Sequence, residues 1–322
     1  MTYLIVGTCF CLAGFLVVDL AATGWIAAVW ALVGDGVRRW SPSQRRRWLA
    51  AARVLPCAAA MLFAALVVAP GYVWLEPRDA RESVGPMLGL AALAAIALLV
   101  RGPLLAVRAW RSTRGIEAAW LRAADRIELP GIPFPVWRTR LGAAGFWLSG
   151  LWRPRLIVAG ALLDALTPVE LEAAFGHELA HAASRDNLVR LCLAGCPGAL
   201  SLTRFGVRLE REWAGAAEAA ADRRAVEGSP TAAVELASAL VKVARLAPPE
   251  AGVMASALGD GDVGRRVRLL LARDLSQPAS LVAEAGAWAG LLAPLAAIAA
   301  LGLDPAVVGA LHELAEHLVR RF

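Results

Sequence analysis

The sequence predicts an α-helical membrane protein of about four transmembrane helices, with a mainly α, α+β domain inserted among them. Three observations predict it. The 322 residues are 58% apolar with a mean hydropathy of +0.57, well above a soluble globular chain. Four apolar runs are long enough to cross a hydrocarbon layer, which takes roughly 17–25 residues. The 33 basic residues, among which Lys242 is the single lysine, are arginines gathered in short stretches. Such clusters mark membrane topology rather than a nucleic-acid footprint, so no nucleic-acid partner is expected.

The first run, residues 3–33, is broken only by Asp19. An acid inside a span is a functional candidate, but a neighbouring helix can also hold it in a polar contact, and that structural reading is favoured. No Lys or Arg precedes the run and no small-residue cleavage pattern closes it, so it is expected to remain as a helix rather than act as a signal peptide. Residues 49–74 and 84–100 form the next two runs, and 279–303 the fourth, with Glu284 near its start. Residues 1–100 thus read as three transmembrane helices with a basic loop at 34–48. That loop carries Arg38, Arg39, Arg45, Arg46 and Arg47, whereas Glu76 to Glu82 has Arg78 and Arg81 against three acids. The positive-inside rule puts the N-terminus outside and the first loop in the cytoplasm. Arg101, Arg108, Arg111 and Arg114 follow the third run, and Arg265, Arg266, Arg268 and Arg273 precede the fourth. Residues 101–278 are therefore expected to form a cytoplasmic domain.

After the fourth helix, 304–322 begins with Asp304-Pro305, an N-cap and first-turn pair, and places Val308, Leu311, Leu314 or Ala315, and Leu318 on one stripe. A short amphipathic tail lying on the outer interface is expected. His312 and His317 within it are five apart, which turns them away from each other on a helix, so both are expected at the surface. The five cysteines form no CxxC pair and read as small apolar filler.

Within the inserted domain, Pro130 to Ala159 is rich in turns and β-forming residues and predicts a small sheet of two to four strands. Thr167-Pro168-Val169-Glu170 then has the form of a capping box with proline at the first helical position, opening a helix that runs to about Arg185. Leu188 to Phe205 is apolar but broken by Cys196-Pro197-Gly198, as in a buried helix pair or a re-entrant hairpin. A second helix over Arg208 to Glu227 stops at Gly228-Ser229-Pro230, and Pro248-Pro249 with Gly259 to Gly261 marks a loose stretch.

The first of these helices holds His177-Glu178-Leu179-Ala180-His181. Histidines four apart project from one helix face and can grip a single zinc ion, with Glu178 placed to take a proton from a metal-bound water. A catalytic zinc needs a third protein ligand and an open position. Glu218 is the leading candidate, because Asp222 one turn later can accept the other ring N–H of a zinc histidine. Glu210, Glu212 and Glu227 are rivals without such a partner. An intramembrane site is disfavoured, since Glu170, Glu172 and Arg185 make the motif helix too polar for lipid. A membrane signalling or scaffold protein with a structural metal site is the competing class, and retention of Glu178 argues against it.

These residues resemble the BlaR/MecR-type membrane zinc metallopeptidases, gluzincins related to the HtpX-type membrane proteases. The resemblance is carried by Gly150-Leu151-Trp152-Arg153-Pro154-Arg155-Leu156-Ile157-Val158, by Leu162 to Leu171, by His177 to His181 followed by Arg185-Asp186, and by Glu218 to Asp222. It implies a gluzincin-type zinc peptidase domain facing the cytoplasm from a bacterial cell membrane. It also implies Zn2+ held by His177, His181 and Glu218, Glu178 as base, and a supporting role for Asp186. The substrate would be a protein or peptide, in the family's best-known members a transcriptional repressor, added as a strand along the edge near Leu156 to Ala159. Only Asp304 to Phe322 follow the fourth run, so a β-lactam-sensing role is not expected. The domain has no tyrosine or later histidine to steady an oxyanion, and Arg223, Arg224 and Asn187 stand as candidates.

Overall fold

A computed structural model describes residues 2–77, 84–129, 131–140, 145–227, 229–246, 263–272 and 279–321. Arg78, Arg81, the stretch from Pro248 to Gly261 and Arg273 lie outside the described residues. In chain order come α1 (Thr2–Arg39), α2 (Pro42–Phe63), a π turn at Ala64–Val68, α3 (Ala69–Leu75) and α4 (Pro86–Leu121). Four strands follow: β1 (Ala124–Ile127), β2 (Val136–Thr139), β3 (Phe146–Ser149) and β4 (Arg155–Ala159). The remaining helices are α5 (Gly160–Ala165), α6 (Pro168–Ser184), α7 (Asp186–Gly195), α8 (Arg204–Ala225), α9 (Pro230–Leu246), α10 (Val263–Leu271), α11 (Leu281–Gly302) and α12 (Pro305–Arg321).

Four of these rods, Thr2–Arg39, Pro42–Leu75, Pro86–Leu121 and Leu281–Leu303, are long and apolar enough to cross a membrane by length and composition, which suggests a membrane-embedded protein. The second bulges where Pro70 has no N–H to return to the Leu66 carbonyl, and the wider π turn absorbs the missing bond. Two boundaries differ from those expected. The basic segment 34–48 is helical except around Trp40 and Ser41, because Val37 and Trp40 are buried in the bundle core and Arg38 donates to Glu212 of α8 at 3.2 Å, which carries α1 onward beyond its apolar run. The division expected at residue 100 falls inside α4, which continues to Leu121 and meets the sheet through Glu117 and Trp120.

The sheet has the order β1-β2-β4-β3, with β2 and β4 parallel and the other two pairs antiparallel. β4 is interior and almost wholly buried, as a run of Leu, Ile, Val and Ala predicts. The edge expected near Leu156 to Ala159 is therefore elsewhere: β3 covers one flank of β4 and is itself the edge. β1, with the sequence Ala-Asp-Arg-Ile, lies before the predicted sheet, too short and polar to signal a strand alone.

α8 joins the inserted domain to the bundle. Leu209, Trp213, Ala216 and Ala217 share one core with Ile26 and Trp30 of α1, Trp48, Leu49, Ala52 and Leu55 of α2, and Leu291 of α11. Arg53, buried in the apolar run of α2, donates to Glu210 of α8 at 2.8 Å. The stretch after α7 turns back against α1, where Asp19, fully buried, accepts the Ala199 N–H at 2.6 Å. Gly198 permits this: its φ is 120°, and a Cβ there would lie 2.5 Å from Asp19 Oδ1. Asp19 thus holds a polar contact with a buried turn. The tail also departs from expectation. α12 packs back on the bundle, with Val308 and His312 against Gly71 and Ala315 beside Val6, Phe10 and Tyr72. Leu314 points outward, His317 is exposed, and the Leu318 side chain lies outside the described residues.

The capping box of α6 is complete: Thr167 Oγ1 accepts from Glu170 N–H, and Glu170 Oε2 accepts from Thr167 N–H at 2.8 Å. Ser238 and Lys242 of α9 also donate to Glu170, at 2.6 and 2.7 Å. Burial works to raise the Glu170 carboxyl, but these donors outweigh it and hold the pKa near about 2, below its ordinary 4.5. A carboxyl depressed in the folded state stabilises fully above its unfolded value and loses that contribution as pH falls through 4.5 towards about 2. Melting of detergent-solubilised protein should therefore show a steeper loss of Tm across that window than Glu170→Gln shows; equal slopes would remove Glu170 as the source.

Candidate metal centre

α6 ends at Arg185, the one non-glycine residue of positive φ among those described, at 53°. One residue in this left-handed conformation costs roughly 1–2 kcal/mol, and it lets α7 begin at once, so that Asp186 in its first turn faces back to α6. Asp186 Oδ2 lies 2.7 Å from His181 Nδ1. Its other oxygen accepts from Arg46 of α2 at 2.5 Å. α8 crosses on the other side and presents Glu218 and Asp222 one turn apart. Asp222 Oδ1 lies 2.9 Å from His177 Nδ1. With both Nδ1 atoms engaged by carboxylates, the Nε2 atoms face one another at 3.0 Å, and Glu218 lies 3.5 Å from that of His177 and 3.6 Å from that of His181. One donor atom from each of His177, His181 and Glu218 falls within 4.8 Å of the others. Glu178 lines the same cleft.

The set fits a divalent ion on its own chemistry. Two imidazoles and a carboxylate are a catalytic zinc donor set that leaves a position open, and each imidazole is oriented through its second nitrogen. Four carboxylates, Glu178, Asp186, Glu218 and Asp222, surround the two rings, and two guanidinium groups, Arg46 and Arg266, answer them. The remaining field favours positive charge. Burial works against the His181 imidazolium, yet Asp186 and Glu218 push its pKa up to about 10. Burial also works to raise Glu218, but the imidazoles hold its carboxyl well below the usual range. Glu178 goes the other way: burial pushes it up, and the neighbouring rings offset only part of this.

Arg266 is the participant that the sequence did not reveal. In the sequence it is one of the arginines preceding the fourth span, yet it is buried, donates to Asp222 at 2.6 and 2.8 Å and lies 3.1 Å from Glu218. Arg46 likewise reaches inward from the basic segment. No spacing rule links either to the motif. Of the oxyanion candidates, Asn187 lines the cleft and donates to the Leu148 carbonyl at 2.7 Å, whereas Arg223 and Arg224 are exposed. Glu210 pairs with Arg53 and Glu212 with Arg38, so neither rival of Glu218 reaches the histidines.

The cleft holds about 350 Å3 and is walled by β3, by Thr113, Ile116 and Trp120 of α4, and by Asn187 and Arg190 of α7. It adjoins a groove of about 800 Å3 along α4, with which it shares Thr113, Glu117, Leu148, Ser149, Asn187 and Arg190.

Residues 112–262 match the sequence model of peptidase family M48. The match spans the histidine motif and both acids of α8, and supports a gluzincin-type membrane metallopeptidase, a hydrolase. No curated protein and no solved structure matches the chain.

Breaking a buried ion pair from one side leaves an uncompensated charge and costs about 3–5 kcal/mol. Arg266→Met should accordingly lower Tm by several degrees, and Arg266→Lys should recover less than half of the loss, since an ammonium cannot make the paired contacts to Asp222. An unchanged Tm in Arg266→Met would show that the guanidinium does not hold the site together.

Proposed function

We propose that the chain is a membrane-bound zinc metalloendopeptidase of gluzincin type, in which His177, His181 and Glu218 hold Zn2+ and Glu178 is the general base. The observation that carries this reading is the convergence of those three donor groups beside Glu178 in one cleft. Bound zinc would lower the pKa of a water and polarise the scissile carbonyl. The chain's own residues supply the rest. Asp222 and Asp186 fix the two ring tautomers so that both Nε2 atoms point to the ion. Glu178, whose carboxyl burial makes more basic, takes the proton of the attacking water and passes it to the leaving amine nitrogen. Of the three oxyanion candidates Asn187 is the one that lines the cleft, which supports it over the exposed Arg223 and Arg224; to serve, its amide would have to turn from the Leu148 carbonyl to the oxyanion.

The substrate in this reading is a protein or peptide bound in extended form along β3, the sheet edge that lines the cleft, with Phe146, Trp147 and Trp120 offering apolar contact. A regulatory protein such as a transcriptional repressor fits the BlaR/MecR-type likeness. The bilayer is the other partner. The arginines flanking the third and fourth runs favour a peptidase domain on the cytoplasmic side, and the same likeness favours a bacterial cell membrane.

Glu178→Gln keeps the shape and removes the base. In detergent-purified protein it should retain zinc at the wild-type level and lose at least about a hundredfold in hydrolysis of casein or of the chain itself, the lower end of what a general base contributes. Zinc bound in both forms with no hydrolysis by either would favour a signalling or scaffold protein with a structural metal, and wild-type protein without zinc would remove the proposal.

A further inference from the structure

At the far end of the bundle a second group of ligating side chains converges. α12 places His312 and Glu316 four apart, on one face and one turn from each other. α3 ends against this face, with Glu76 at its C-cap. His312 was expected at the surface, but its side chain is only 10% exposed, packed by its Cβ on Gly71 and edge-on to the Tyr72 ring. Its Nε2 is enclosed and makes no hydrogen bond. That nitrogen instead points between two carboxylates, 3.3 Å from Glu76 Oε2 and 3.5 Å from Glu316 Oε1.

These separations discriminate between an ion pair and a ligand set. A charge-assisted N–H···O⁻ bond closes to about 2.7–2.9 Å, the distance seen between His181 and Asp186. Two donors at ~2.0–2.1 Å from a tetrahedral zinc stand about 3.3–3.4 Å apart. The three donor atoms lie within 4.8 Å of one another, as do those of the histidine motif. Both carboxylate side chains are largely covered, Glu76 at 6% and Glu316 at 23% exposure.

We propose that Glu76, His312 and Glu316 form a second divalent-metal site of the zinc class, which fastens α12 to the end of α3. It is separate from the peptidase centre. Arg46, which touches that centre, and Tyr72, which touches this one, are 26 residues apart on one continuous rod, a span of about 39 Å. The donor set of one nitrogen and two carboxylates suits Zn2+ or Mn2+ better than Mg2+, which prefers oxygen and retains its waters. Fastening α12 would bind Val308 and Ala315 against the bundle as well, so occupancy should register in stability rather than in hydrolysis.

The test uses the full chain in detergent, stripped with a chelator and returned to micromolar Zn2+, with metal counted by mass spectrometry and helix content followed by circular dichroism. Wild type should take up two ions per chain, His312→Ala one, and His181→Ala one. His181→Ala with His312→Ala should take up none. Glu316→Gln, which keeps the helix and removes one anionic ligand, should lose the second ion while leaving hydrolysis unchanged. Zinc should raise the Tm of His181→Ala by several degrees but not that of the doubly substituted chain. The inference fails if folded His181→Ala takes up no zinc, or if the double variant or Glu316→Gln keeps the second ion. Because the first centre is absent from the His181→Ala background, failure there leaves the peptidase reading untouched.

Discussion

Gathering four carboxylates around two imidazoles inside the fold is the constraint that governs the rest of the structure. Each buried anion would cost several kcal/mol alone, and like charges so close would push one another towards protonation. The chain answers with cations brought from far away in sequence. Arg46 enters from the first turn and a half of α2 and Arg266 from α10, so the site cannot assemble until elements some 220 residues apart are packed together. A divalent ion would complete the neutralisation, which is why the same field that raises His181 suits a metal. The backbone bends to the same need at Arg185, whose left-handed turn exists to bring Asp186 onto His181.

α8 transmits that constraint to the bundle. Its acidic face serves the histidines while Leu209, Trp213, Ala216 and Ala217 on the other face sit in the core shared with α1, α2 and α11. A helix held on both sides has little freedom to tilt, and a displacement of about 1 Å at a reacting centre can cost two orders of magnitude in rate. The peptidase-like part is thus braced by the bundle rather than hung from it. Arg53 with Glu210 and Asp19 with Ala199 extend the brace along the rods, each placing a charged group in apolar surroundings only where a partner from the inserted segment meets it.

How much of this the sequence displayed depends on the range of the interaction. Local signals were legible: the capping box of Thr167 and Glu170, the pairing of His177 with His181, and the one-turn spacing of Glu218 and Asp222 are all written within a few residues. Four apolar runs gave the four long rods. What depends on distant partners was not legible. Arg266 and Arg46 read as topology signals because a solvated and a buried arginine look alike until a carboxylate is placed beside one. β1 is a strand only by pairing with β2, and β4 read as an edge because its flanking position in the chain says nothing of β3 lying outside it. His312 read as a surface residue since its companion Glu76 is more than 200 residues away.

The length of α4 ties the apolar bundle to the cleft. Its 36 residues extend about 54 Å, against about 30 Å of hydrocarbon, so roughly the last four turns project past any bilayer that its apolar part crosses. Those turns carry Thr113, Ile116, Glu117 and Trp120, which wall the cleft opposite the histidine motif. Glu117 grips the sheet through Ser149 and Arg155, and the Trp120 ring lies tilted against that of Trp147 with centroids 4.4 Å apart, so β3 is held against the same rod. The edge strand β3 and the wall facing it are therefore both referenced to one helix. The adjoining groove runs along this helix past Trp110 towards its apolar half. The groove thus joins the cleft of the histidine motif to the apolar part of the same rod.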